Sequence, residues 1–157
     1  MPLRIRNFRS EDLGELHRID QTCFPRDIAY SREELLSYLS DRKGLAWVAE
    51  GGGRIVGFVL ARIEGRTRAH VLTLDVIPEA RRLKIGTSLM NVLHAELAKR
   101  GIDMAILEVG VNNRPAQRLY AGLGYAYLET LLGYYHGRED AYRLVRSLAM
   151  TNSKIPV

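Results

Sequence analysis

The chain has one cysteine, Cys23, in 157 residues. That excludes an internal disulfide and suits a reducing compartment, so the expected location is the cytoplasm. Cys23 itself reads as a small buried side chain rather than a nucleophile. No apolar run is long enough to cross a bilayer, and no charged-then-apolar secretory leader is present, so no membrane role is expected. Internal repeats, linkers and low-complexity stretches are also lacking. The length fits one compact domain with a sizeable core, expected over residues 1–148 with a loose tail over 149–157. The net charge of +5 is modest. Arg and Lys are scattered, and only Arg81, Arg82 and Lys84 cluster beside a helix start. Nucleic acid is therefore not expected as the primary ligand, whereas a polyanionic cofactor or work near ribosomal RNA suits the excess.

What is present begins with the stretch Val76 to Met90. Pro78 ends an apolar run from His70 to Ile77, and Ile85, Leu89, Leu93 and Leu97, with Val92 beside them, then follow helical spacing. The first N–H groups of such a helix lack internal partners, and the helix dipole is positive there. With Arg81, Arg82 and Lys84 adjoining, the segment reads as a phosphate cradle.

A coarse pass predicts strands at Leu3 to Phe8, Leu45 to Glu50, Arg54 to Ile63, Ala69 to Ile77, Met104 to Val109, Tyr125 to Leu132 and Ala141 to Leu148. Helices are expected from Ser10 to about Gln21, from the capping box Ser31-Glu34 to Leu39, up to Arg100 with Gly101 ending it, and from near Asn113 with Pro115 in the first turn. Gly51-Gly52-Gly53 marks a hairpin. The fourth strand, long helix and fifth strand make a crossover of the parallel type, which gives an α/β fold with a mixed sheet flanked by helices.

The segment Arg81-Arg82-Leu83-Lys84-Ile85-Gly86, continuing to Thr87, resembles the signature of the GNAT superfamily of acetyl-CoA-dependent N-acetyltransferases. Lys84 stands where that signature has its first glycine, and its Cβ disfavours positive φ. Leu107-Glu108-Val109-Gly110-Val111-Asn112-Asn113, then Leu119-Tyr120 and Gly124-Tyr125, resembles one branch, the bacterial ribosomal-protein-alanine N-acetyltransferases (RimI type). Gly110 and Asn112 replace an Arg and a Ser of that pattern. Phe24-Pro25, Val48-Ala49-Glu50, Arg54 to Gly57 and Tyr134-Tyr135 agree with it, so the likeness runs from about residue 3 to 148, while Ile28 to Tyr30 departs where the branch often has Trp.

The resemblance implies a mostly antiparallel sheet of about seven strands, with the fourth and fifth splayed apart. It implies acetyl-CoA as co-substrate and no metal, with pantetheine against the backbone of Leu74, Asp75 and Val76 and pyrophosphate against Arg81 to Thr87. Asn113 would border the CoA as well as cap its helix. Glu108, a carboxylate in an apolar strand, would be the general base, the alternative being a strand-end Glu facing solvent or bonded to a backbone group. Tyr120, on a stripe that otherwise reads as core, would donate a proton to the departing thiolate. Phe24, Pro25, Tyr134 and Tyr135 would wall the acceptor slot, although paired tyrosines are usually packing. The acceptor implied is the α-amine of a protein or peptide, a ribosomal protein being one candidate. A small amine such as a polyamine, amino acid or antibiotic, and a non-catalytic CoA-responsive role, stand as alternatives.

Overall fold

The computed structural model describes residues 2–149, so all of the expected tail except Ala149 lies outside the described residues. Among the described residues, seven strands form one sheet: β1 (Leu3–Asn7), β2 (Gly44–Gly51), β3 (Arg54–Glu64), β4 (Arg68–Val76), β5 (Met104–Gly110), β6 (Ala126–Tyr135) and β7 (Glu139–Ser147), in the spatial order β1-β2-β3-β4-β5-β7-β6. Four α-helices accompany them: α1 (Leu13–Cys23), α2 (Arg32–Ser40), α3 (Ile85–Lys99) and α4 (Arg114–Gly122). Every neighbouring pair of strands is antiparallel except β4 and β5.

Local chemistry sets the helix boundaries. Ser31 accepts from the Glu34 amide at 3.0 Å while the Glu34 carboxylate accepts from the Ser31 amide at 2.9 Å, so two orphan donors of α2 are satisfied reciprocally. Gly101, at φ +79, stops α3 in the left-handed conformation that glycine adopts cheaply. Asn113 caps α4 by accepting from the Ala116 amide. Two expectations are adjusted. The segment Ser10–Asp12 is a 3-10 turn before α1, because the Asp12 carboxylate is drawn back to Arg6 and to the Arg9 amide. β6 continues three residues beyond Leu132, which carries Tyr134 and Tyr135 into the strand instead of a connection.

The stripe Ile85, Leu89, Leu93 and Leu97 is buried, and α3 covers β2, β3 and β4 with it. Phe58, Leu60, Leu89, Leu93 and Leu97 are wholly buried; each such side chain contributes roughly 1.5–3 kcal/mol relative to exposure. Packing of this kind holds the sheet rigid, and the sheet in turn fixes its one gap. β4 and β5 pair only through Arg68↔Met104, Ala69↔Ala105 and His70↔Ile106. Beyond His70 the strands diverge, leaving the splayed sheet that the resemblance implied.

Candidate active site

A cleft of about 1020 Å³ opens where β4 and β5 part, and among its lining residues are Phe24, Tyr30, His70, Leu74, Glu108, Asn113, Tyr120, Tyr134 and Tyr135. Its inner edge is the free side of β4. The Ile77 amide bonds back to Val56 on β3, whereas the Leu72 carbonyl accepts from Tyr30 Oη at 3.2 Å and the Val76 carbonyl from Cys23 Sγ at 3.4 Å. Strand alternation therefore turns the main chain of Leu74 and Val76 to the gap and that of Asp75 to β3. The Val76 carbonyl also accepts from Arg81 Nε at 3.1 Å, so Leu74 presents the edge without a side-chain partner drawn to its neighbours.

Beneath that edge lies a pair of acids, of which sequence reasoning named only Asp75, and that for its main chain. The Asp75 side chain is buried and accepts from Thr73 Oγ1 at 2.5 Å. Burial, and then the neighbouring Asp20 carboxyl, hold Asp75 well above the usual carboxylate range, so it keeps its proton. Asp20 Oδ1 and Asp75 Oδ2 are both buried with no hydrogen-bond partner among the described residues. Asp20 Oδ2 meanwhile accepts from the Tyr30 amide at 2.7 Å, which pins the segment after α1 against β4. Cys23 borders this group and is half-buried, not fully buried as expected; burial, with Asp75 next, pushes its thiol up to about 11, and it acts as a donor rather than a thiolate.

At the outer end of the gap, Arg81, Arg82, Leu83 and Lys84 are exposed ahead of the buried Ile85. Arg82 and Lys84 adopt φ of +75 and +59, so Lys84 takes the left-handed conformation of the glycine it replaces despite its Cβ. Alternation of this kind is the backbone pattern of an anion-binding nest, and it leads directly into α3. Gly86 lies one residue into the helix; a Cβ there would meet Leu119 at 3.3 Å and Leu74 at 3.5 Å, so its bareness keeps the floor of the cradle open. The groups present fit a pyrophosphate: helix-start amides, a positive helix end and the three basic side chains of Arg81, Arg82 and Lys84, with no acidic residue in the first turn of α3.

Glu108 lies on β5 facing the cleft, and its side chain is only 5% exposed. The solvent-facing alternative is thereby set aside. Three groups bond to it. His70 Nε2 is 2.5 Å from Oε1, Tyr134 Oη donates to Oε1 at 3.3 Å, and Arg143 Nε donates to Oε2 at 2.9 Å; Glu129 takes the other side of Arg143 at 3.0 Å. Burial alone would raise the Glu108 pKa, but the hydrogen bonds and charges of His70 and Arg143 outweigh it and hold it below the ordinary value. For His70, burial disfavours the charged ring, yet Glu108 and Glu64 outweigh burial and raise it. The two shifts belong to one coupled pair, in which imidazole and carboxylate compete for a single proton. His70 was missed in the sequence because its partner lies 38 residues away and a lone strand histidine carries no local signal.

Tyr120 reaches the same cleft from α4 with 8% of its surface exposed, its ring edge-on to Tyr125 at 5.7 Å. Burial, with Asp75 and Tyr135 adding to it, pushes its phenol above the ordinary value, so the hydroxyl stays protonated. Phe24 follows α1 and lines one side of the cleft, whereas Pro25, next in the chain, is not among the lining residues. On the other, Tyr134 and Tyr135 stack edge-to-face at 5.0 Å at the end of β6. Arg138 and Asp27, 3.5 Å apart, link the two rims, although both are exposed enough for the pair to contribute little energy. Gly110 has a counterpart: a Cβ there would lie 2.8 Å from a Glu139 carboxylate oxygen, which occupies the space a larger side chain would need. Among the described residues no cluster of side chains suits a metal ion, and no helix is long and apolar enough to cross a membrane.

An N-alpha-acetyltransferase of Sulfurisphaera tokodaii is 31% identical to this chain over 157 residues, covering 92% of it and 93% of the relative. The crystal structure of Ard1 from Thermoplasma volcanium superposes with a TM-score of 0.88 at 25% identity, covering 96% of this chain and 100% of that one. The ribosomal-protein-S18-alanine N-acetyltransferase of Escherichia coli shares the fold at a TM-score of 0.87 and 24% identity, over 99% and 100% of the two chains. The family model of the acetyltransferase (GNAT) family matches residues 13–125. With its splayed strands, its basic nest at the start of α3 and its buried carboxylate facing the gap, the chain belongs to the acetyltransferase (GNAT) family and is an acetyl-CoA-dependent acetyltransferase.

Proposed function

We propose that the enzyme transfers acetyl from acetyl-CoA directly to the N-terminal α-amine of a protein or peptide, in the cytoplasm, a ribosomal protein being one candidate acceptor. The observation that carries this reading is Glu108, buried at the gap between β4 and β5 and held by His70, Tyr134 and Arg143. The name of the Sulfurisphaera relative supports the choice of acceptor.

In this reading Arg81 to Thr87 hold the pyrophosphate, the backbone of Leu74 and Val76 bonds the pantetheine amides as an added strand would, and Asn113 borders the cofactor. Asp75 serves as a support from below, since its side chain is buried and its main chain faces β3. Phe24, Tyr134 and Tyr135 form the acceptor slot. Glu108 takes a proton from the amine, whose lone pair attacks the thioester carbonyl, and Tyr120 donates a hydrogen bond to the departing sulfur. No acyl-enzyme is required.

The size of the proton-removal cost favours an α-amine. At pH 7, an α-amine of pKa about 7.8 costs roughly 1 kcal/mol to deprotonate, against about 4.6 kcal/mol for a lysine of pKa about 10.4. A carboxylate held below its ordinary pKa covers the first far more readily. Peptides with a free N-terminus should accordingly be acetylated, while the same peptides with that terminus blocked and an internal lysine free should react little. Preference for the blocked lysine peptides, or for a small polyamine over every peptide, overturns the acceptor assignment.

The cofactor site makes its own prediction. Arg82→Glu places a negative charge beside the nest and should weaken CoA binding about tenfold or more in calorimetry while the melting temperature without ligand changes little; Gly86→Asp should weaken binding as well, but its Cβ also meets Leu119 at 3.3 Å, so its ligand-free melting temperature should fall. Unchanged affinity in both variants would place the pyrophosphate elsewhere.

A further inference from the structure

We propose that His94 and Tyr125 are positioning residues for Tyr120: His94, fixed as its Nε2–H tautomer by Arg146, donates to the Tyr125 hydroxyl and so anchors the ring that keeps Tyr120 aimed at the departing sulfur. The inference rests on the reading of Tyr120 as the hydrogen-bond donor to that sulfur. Neither His94 nor Tyr125 is among the residues lining the cleft, so both act through their neighbour.

Arg146 of β7, His94 of α3 and Tyr125, which precedes β6, form a chain of polar groups reaching into the core. His94 is 5% exposed and Tyr125 6%. Arg146 Nη1 meets His94 Nδ1, and His94 Nε2 lies 2.7 Å from Tyr125 Oη. A guanidinium donates and never accepts, so Nδ1 must bring a lone pair to it. A neutral imidazole with its lone pair on Nδ1 carries its proton on Nε2, and there the proton is given to Tyr125. The opposite tautomer would set N–H against N–H at Arg146. Burial, then the Arg146 charge, lowers the His94 pKa to about 4, which keeps the ring neutral near pH 7.

Tyr125 in turn bears on Tyr120 through both backbone and ring. Its amide donates to the Tyr120 carbonyl at 3.0 Å, and the two rings meet edge to face at 5.7 Å. Gly124, at φ +90, turns the chain after α4 so that both contacts form, and Arg146 packs over this turn, with Nε 3.7 Å from where a Gly124 Cβ would stand. The Tyr120 hydroxyl has no hydrogen bond among the described residues, which leaves it free for the sulfur and leaves its aim to packing. A tyrosine at position 125 supplies what a phenylalanine would not. Its ring is tethered at the end far from the backbone and cannot tilt without breaking the bond to His94. Small displacements matter here, since a misplacement of about 1 Å can cost roughly 100-fold in rate.

The test measures single-turnover acetyl transfer from acetyl-CoA in the full chain, with a free-N-terminus peptide and with spermidine as acceptors. Tyr125→Phe should slow transfer about tenfold and leave CoA affinity within about twofold. His94→Leu should do the same, whereas His94→Gln, whose amide nitrogen can still donate to Tyr125, should restore most of the rate. In a Tyr120→Phe background, Tyr125→Phe should cost less than about twofold, because the group it positions is gone. A wild-type rate in Tyr125→Phe, or an undiminished loss in the Tyr120→Phe background, overturns the proposal. Histidine labelled with 15N reads the unaltered protein: His94 should be a neutral Nε2–H ring from about pH 5 to pH 8, and an Nδ1–H or charged ring overturns the proposal even where a His94 variant does not fold. The two readings fail separately. Tyr120→Phe at full rate removes Tyr120 as donor and this role with it, while a slow Tyr120→Phe beside a fast Tyr125→Phe removes only His94 and Tyr125.

Discussion

Glu108→Gln should lower kcat/KM by about 100- to 10,000-fold near neutral pH, the usual range for removing a general base. The side-chain shape is kept, and Arg143 retains Glu129 at 3.0 Å, so no cation is left unpaired and the fold should survive. The loss should be deepest below the pKa of the acceptor amine and should shrink as pH rises, because a deprotonated amine needs no base. For an α-amine the recovery begins near pH 8, and for a lysine about two units or more higher. A full pH profile of the variant thus reports on the base and the acceptor together. Wild-type kcat/KM throughout would show that Glu108 is a buried structural acid.

Tyr120→Phe should lower kcat over the same range of about 100- to 10,000-fold while leaving CoA affinity close to that of the wild type. Phe preserves the edge-on contact with Tyr125 and the packing of a position only 8% exposed. What disappears is one hydroxyl. Because burial keeps that phenol protonated, the role proposed for it is hydrogen bonding to the thiolate as charge develops, more than full proton transfer to a sulfur of pKa about 8.5. The effect should therefore shrink with activated thioesters whose leaving thiol is more acidic. Single-turnover measurements separate chemistry from product release; an unchanged chemical rate in the Phe variant would reduce Tyr120 to a core residue.

Much of the fold was legible because its signals are local. The Ser31-Glu34 box, the glycine run of the β2–β3 hairpin, Gly101 after α3 and Asn113 before α4 each act within a few residues, and each marks a boundary of the structure. The 3-10 turn before α1 escaped notice because it answers to Arg6, and the end of β6 because its ladder partners lie on β7. The site divides in the same way. Glu108 and Tyr120 could be named from motifs, whereas His70, Glu64, Arg143 and the Asp20–Asp75 pair acquire meaning only when β3, β4, β5, β7 and α1 converge. Alternation along a strand says which face a residue takes, not which residue stands across from it.

Lys84, left-handed at φ +59, bears on time as well as on shape. A glycine there would reach the same backbone angles without strain and would also wander among many others before a ligand arrived. The lysine gives up that freedom in advance, at a local expense on the order of 1 kcal/mol, and carries a charge that reaches into solvent ahead of the nest. Encounter with a polyanion therefore meets a cradle already set and a field already pointing inward, so the association rate should carry much of the affinity and should fall steeply with ionic strength.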